Sequence, residues 1–247
     1  MSGHNKWSTI KHKKGKADAQ RSKEFTKIAR YITVAAKQGG GDPEYNATLK
    51  TAIEKAKAAN MPNDNIKRAV QKGVGSGDAS NFEEIRYEGY GPGGVAVMVE
   101  CLTDNKNRTV SDVKCYFDKY GGNLGTAGSV SFMFDRKGVL LIDREVFDGV
   151  DEDDLLMQVL EAGGENLETD EDYFEITTEP NAFSAVRDAL AAEGYTFAQA
   201  EVTWVPQNYQ EIPEEHFKNM LKMIEMLEDS DDIQTVIHNW DMPDDLE

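Results

Sequence analysis

Apolar side chains recur at helical spacing through the first 70 or so residues, and after that the chain alternates between strand-like and helix-like patterns. In residues 18–37, Phe25, Ile28, Ala29, Ile32, Ala35 and Ala36 repeat at helical spacing, while Arg21, Lys23, Lys27 and Arg30 fall mostly elsewhere around the wheel. The pattern predicts an amphipathic helix with a basic outer face. Gly39-Gly40-Gly41-Asp42-Pro43 stops it, because glycine accepts the left-handed conformation that ends helices and the residue before proline avoids the helical region. A second helix over about 46–60 repeats the period through Leu49, Ala52, Ile53, Ala56 and Ala59. A break at Pro62, with Asn63 as its capping residue, leads into a short helix carrying Ile66, Ala69 and Val70 and ended by Gly73.

Beyond the linker "GVGSGDASN" (73–81), strands and helices alternate. "FEEIRYEGYG" and "GVAVMVECLT" read as two strands around the Gly91-Pro92-Gly93-Gly94 turn, followed by a helix from about Asn107 to Tyr120 and a strand "SVSFMF" at 129–134. Next come "GVLLID", the helical "DEDDLLMQVLEAG", a hairpin of "GENLET" and "YFEITTE", the helical "AFSAVRDALAAEG" and the strand "AQAEVTWVP". This βαββαβ order is the split βαβ of ferredoxin-like folds. A helix from Pro213 to about Leu227 turns Phe217, Met220, Leu221, Ile224 and Leu227 to one face, and a lone strand "IQTVIHNW" follows. A lone strand needs a sheet to join. The expected fold is therefore α+β: an N-terminal helical domain (1–78) and two α/β ferredoxin-like domains, the last inserted into the middle one. The boundaries are 79–134 plus 206–247 for the discontinuous domain and 135–205 for the inserted one.

Charge changes this picture. The formal net charge of the 247-residue chain is -18. Yet residues 1–72 hold 16 Lys and Arg against 6 Asp and Glu, whereas residues 135–247 hold 6 against 31. Attraction is set by the surface in contact, since charges beyond about 8–10 Å are screened at physiological salt. A basic head on an acidic body points to a polyanionic partner. Lys6, Lys11, Lys13, Lys14, Lys16, Arg21, Lys23, Lys27 and Arg30, with Trp7, His4 and His12 among them, can neutralise phosphates and stack on an unpaired base. The candidate nucleic-acid-binding set is Lys6, Trp7, Lys11, His12, Lys13, Lys14, Lys16, Arg21, Lys23, Lys27, Arg30, Lys67 and Arg68. The competing reading of the first residues is a solvated tail, against which the Trp and the continuation of charge onto a helix face both argue.

Little points to catalysis. The two cysteines, Cys101 and Cys115, form no paired motif, and His4, His12, His216 and His238 lack metal-ligand spacing. "GGNLGTAGS" (121–129) lacks the Lys-Ser/Thr of a phosphate loop and precedes a strand, so it reads as a glycine-shaped turn, as does "GYGPGG" (89–94). The acidic run Asp151–Asp154 opens a helix, where carboxylates favour the positive end of the dipole. The expectation is a protein without enzymatic activity, cofactor or metal. A phosphoryl-transfer enzyme or nuclease using the Gly-rich loops and acidic residues with Mg²⁺, testable by Asp104→Asn or Asp112→Asn, is the discounted alternative. There is no run of 18 apolar residues, and the first 30 lack the apolar stretch of a secretory signal, so the expected location is the cytoplasm.

Six segments in series carry a family resemblance: "GHNKWSTIKHKKGKADAQRSKEFTK", "GGGDP", "ANMPNDNIKRAV", "YEGYGPGGVA", "GGNLGTAGSVSFMF" and "HNWD". They span the chain, which resembles the YebC/PmpR family of transcriptional regulatory proteins, whose mitochondrial relatives are translational activators of cytochrome c oxidase subunit I. Asn5 and Ser8 stand where many relatives read Ser and Ala, and the C-terminal half is unusually acidic. The resemblance implies a helical domain followed by two α/β domains, and the lack of a long apolar run leads to the expectation of no membrane partner. It leaves two partners open: double-stranded DNA, bound by a transcriptional regulator, or ribosomal RNA with ribosomal proteins, bound by a translation factor that relieves stalling. No helix-turn-helix recognition helix is evident in the sequence. A monomer or a weak dimer fits either reading.

Overall fold

The computed structural model describes residues 18–75, 82–147, 149–170 and 172–243. Helix α1, Asp18–Gly39, buries Ile28, Ile32, Ala35 and Ala36 against α2, Ala47–Ala58, and α3, Asn63–Val74. Leu49, Ala52 and Ala56 of α2 and Ile66 and Ala69 of α3 complete this core. α1 ends where Gly40 turns left-handed (φ 88°) and its N–H donates to Ala36 O. Asn46 then joins two helices at once. Its Oδ1 caps α2 by accepting from Leu49 N (3.0 Å), and its Nδ2 donates to Ala35 O and Gly40 O (both 2.8 Å).

Two expectations for α3 need correction. Asn63 is its first helical residue rather than its cap, because Pro62 holds the preceding position and the Pro62 carbonyl accepts from Asn65 N and Ile66 N. Gly73 lies inside the helix rather than past its end. A Cβ there would stand 2.4 Å from Thr33 O and 2.7 Å from Ala36 Cβ, so the glycine lets α3 press onto α1.

The first sheet contains β1 (Glu83–Tyr90), β2 (Ala96–Thr103), β3 (Asn123–Leu124) and β8 (Ile233–His238) in the order β3-β1-β2-β8, with every pair antiparallel. Seven of the eight residues of β2 are buried, as its central place requires. α4, Lys106–Tyr120, starts at an Asn105 cap and packs with α7, Glu214–Asp229. β8 brings the end of the described chain back beside β2, so the tail strand finds its sheet.

The second sheet lies between these elements in sequence: β4 (Phe134–Asp143), α5 (Glu152–Glu161), β5 (Asn166–Thr169), β6 (Tyr173–Thr178), α6 (Phe183–Ala192) and β7 (Gln199–Pro206). Its order, β5-β6-β4-β7, is that of a split βαβ sheet. Leu140, Ile142, Phe174 and Ile176 share a core with Leu155 and Val159 of α5 and Val186 and Leu190 of α6. The expected strand at 129–134 is absent. Ser131–Met133 form a 3₁₀ turn that leaves Phe132 68% exposed, and β4 begins at Phe134 and runs unbroken through "GVLLID".

Two compact units result. One joins the residues from α1 to Val130 with Pro213–His238, and the other joins Ser131–Ile212 with residues 239–243. The fold is thus α+β, a helical N-terminal region followed by two antiparallel sheets.

Candidate nucleic-acid interface

Of the candidate contact residues, Lys6, Trp7, Lys11, His12, Lys13, Lys14 and Lys16 lie outside the described residues. Arg21 belongs to α1. Lys23, Lys27 and Arg30 follow it at i, i+4 and i+7, which sets all three on one side of the helix. Each reaches the far end of the chain. Lys23 Nζ pairs with Asp229 Oδ1, Lys27 Nζ donates to Glu228 O (2.6 Å), and Arg30 Nη1 donates to Asp231 O (2.9 Å) and Asp232 Oδ1 (2.7 Å). The Arg30 guanidinium also stands 5.4 Å from the centre of the Phe82 ring. The basic side of α1 therefore faces the acidic end of α7 and the turn that follows it.

Asp232 is the centre of that contact. Its other oxygen accepts from Arg108 Nε (3.0 Å) and Nη2 (2.6 Å), from Thr109 Oγ1 (3.0 Å) and from Thr103 Oγ1 (3.3 Å). Leu102 N donates to its backbone carbonyl at 2.8 Å. Burial alone would raise the carboxyl's pKa, yet hydrogen bonds from Arg108, Arg30 and Thr109 outweigh it and hold the group below the ordinary aspartate range. The same bond to Asp232, and a second to Asp104, push the Arg108 guanidinium up. One carboxylate thus fastens α1 to β2 and α4. Sequence reading missed it because "EDSDD" looks like solvated charge. The available signal was position, since Asp232 immediately precedes Ile233, the first residue of a buried strand.

A second group of cations is open to solvent. Lys50 and Lys57 on α2 and Lys67, Arg68 and Lys72 on α3 are all exposed. Arg68 bonds its own helix, through Asp64 O (3.2 Å) and Asn65 Oδ1. α3 also exposes Asn63 and Gln71, and four residues, 59–62, connect it to α2.

The two glycine-rich segments meet on the first sheet. Gly89 pairs with Leu124 and Tyr90 with Asn123, and Gly125 N donates to Glu88 O (2.8 Å). A Cβ on Gly89 would lie 2.5 Å from Asn123 O, and one on Gly122 would lie 2.7 Å from Tyr90 O. Glu88, 3% exposed, accepts from Val130 N (3.0 Å). These glycines bring backbone against backbone, so the segments are turns shaped for strand pairing. Among the described residues, no three His, Cys, Asp or Glu are grouped to hold a metal ion, and no helix is long and apolar enough to cross a membrane.

Comparison with known proteins places this architecture. Residues 5–76 match the model of the TACO1/YebC protein N-terminal domain, and residues 82–240 match that of the TACO1/YebC second and third domain. The chain belongs to the TACO1/YebC family. The junction between the two matches, 77–81, falls within the linker read from the sequence. A TACO1/YebC relative from Finegoldia magna, named "Probable transcriptional regulatory protein", is 59% identical over 98% of this chain and 99% of its own. One from Anoxybacillus flavithermus, with the same name, is 57% identical over 98% of both chains. The crystal structure of a conserved hypothetical protein, Aq1575, from Aquifex aeolicus superposes with a TM-score of 0.82 at 45% identity, covering 92% of this chain and 93% of that one.

Proposed function

We propose that the chain is a cytoplasmic nucleic-acid-binding regulator of gene expression that acts by binding rather than by catalysis, with the basic helical domain as its contact surface. The observation that carries this reading is the confinement of positive charge. Sixteen of the 27 Lys and Arg lie in residues 1–72, on a chain whose net charge is -18. Lys50, Lys57, Lys67 and Lys72 stand exposed on α2 and α3, and phosphate neutralisation with counterion release is the chemistry such a surface offers. The names of the relatives favour promoter DNA as the partner, since they describe transcriptional regulators.

The test is equilibrium binding at 150 mM salt to a promoter duplex and to a scrambled duplex. Preference for the promoter by more than about tenfold supports a specific regulator, and less speaks against it. Lys11, Lys13 and Lys14→Glu together remove binding if the patch is the contact.

A second reading, a ribosome-associated translation factor, draws on the other half of the charge distribution. Residues 135–247, with 31 acidic groups, are repelled by phosphate and would be held away from RNA, oriented toward basic proteins. Co-sedimentation with ribosomes that is lost in high salt and in the triple Lys→Glu variant would favour it over promoter DNA.

A further inference from the structure

The stretch 225–232 carries five carboxylates in eight residues and lies against the side of α1 that bears Lys23, Lys27 and Arg30. Its grip on these cations is graded along the helix. At the Arg30 end, the Asp232 side chain is 7% exposed and shared with Arg108, so the contact is enclosed and held from two sides. At the Lys23 end, the partners are 41% and 62% exposed. An ion pair so open to water contributes little and is screened by salt. Lys27, between them, donates to the neutral carbonyl of Glu228 in the last turn of α7, where helix carbonyls carry partial negative charge. A nucleic-acid phosphate competes for both lysines with the added gain of releasing condensed counterions.

We infer that the acidic C-terminal end of α7 is an internal stand-in for a polyanion: it holds Lys23 and Lys27 in the free protein and yields them to the phosphate backbone of bound nucleic acid, while Arg30 stays locked on Asp232. This rests on the proposed function, because it presumes that the helical domain binds nucleic acid. Asp229 thus acts as a brake on binding, through Lys23. When nucleic acid displaces it, the contact surface extends from the first residues of the chain onto α1 by two cations.

A double-mutant cycle tests the brake. Affinity for a 30-base-pair random duplex and for a single-stranded RNA of equal length would be measured at low salt for the full-length protein, Asp229→Asn, Lys23→Gln and the pair. The exposed ion pair leaves the fold independent of these side chains, which equal thermal unfolding midpoints would verify. Asp229→Asn should tighten binding by about fivefold, the upper range for an exposed pair. The gain should vanish in the Lys23→Gln background. An equal gain in that background means that Asp229 acts only through overall charge, and overturns the inference. The same gain from Glu161→Gln, an exposed acid on α5, does likewise. If the parent protein binds and Asp229→Asn changes nothing, the brake fails and the proposed function stands. If neither binds either probe, both fall. Binding by Asp229→Asn alone supports both. The stronger probe identifies which nucleic acid the freed lysines serve.

Discussion

Asp232 illustrates how a charged residue can be more structural than its neighbours in sequence suggest. Its carboxylate is nearly enclosed and receives two guanidinium groups and two threonine hydroxyls. Replacing it with asparagine keeps the shape and removes the charge that both arginines need. Arg108 stays half exposed and paired with Asp104, so the loss is that of charge-assisted hydrogen bonds, about 2 kcal/mol. Urea unfolding of Asp232→Asn, with the parent as reference, measures this directly, and an unchanged midpoint would reduce the contact to surface decoration. The pH dependence follows from the direction of the shift. The folded carboxyl titrates below its unfolded value of about 3.9, so the unfolded chain binds the proton first as pH falls. The contribution is therefore complete above about pH 4 and is lost as pH drops through the lower, folded value. The Asp232→Asn variant should show a shallower loss of stability than the parent on acidification below pH 4.

At the level of elements, Gly73 is the sharpest test of helix packing. Its α-hydrogen faces the Thr33 carbonyl and the Ala36 methyl of α1. Gly73→Ala would favour helix by propensity alone, by about 1 kcal/mol. The new methyl meets backbone rather than a flexible side chain, so overpacking wins, and net destabilisation of about 1–2 kcal/mol is expected. A thermal melt with a raised midpoint would show that α3 can shift without loss. The same residue marks a limit of pattern reading. A glycine after a run of helical spacing looks the same whether it ends the helix or lets a neighbour approach, and only the position of α1 distinguishes the two. The periodic elements were legible: Leu49, Ala52 and Ala56 face the core as their spacing requires, and the βαββαβ order of the inserted sheet follows from alternating runs. "SVSFMF" misled because Val130, Phe132 and Phe134 fall two apart, as on one face of a strand, whereas the chain turns there and leaves Phe132 exposed between buried Val130 and Phe134. The candidate cations of α1 were legible as a basic face. Their engagement by residues about 200 positions away was not, because periodicity carries no information about distant partners.

For the whole molecule, the first sheet depends on residues at the far end of the chain. β2 is central and pairs with β8 from Val97 to Cys101, with a register shift after Glu100, and Leu102 N is also bonded to Asp232 O. Truncation after Ser230 removes β8 and Asp232 together. Hydrogen exchange on such a protein should reveal lost protection in β1, β2 and α4, whose neighbours and anchor are gone. Retention of native protection in β2 would mean that the sheet holds without its last strand.

That dependence also sets an order of events during synthesis. All strands of the inserted sheet have been made by residue 206, whereas the sheet into which it is inserted waits for residue 238. On a growing chain, the guest can fold before its host, since each compact region forms once its own strands are available. Arg30 and Arg108 are made before Asp232 and have no carboxylate at that position to bind until residue 232 has emerged. Two arginines made 202 and 124 residues earlier are therefore fastened by one carboxylate that arrives only after the inserted sheet has all its strands.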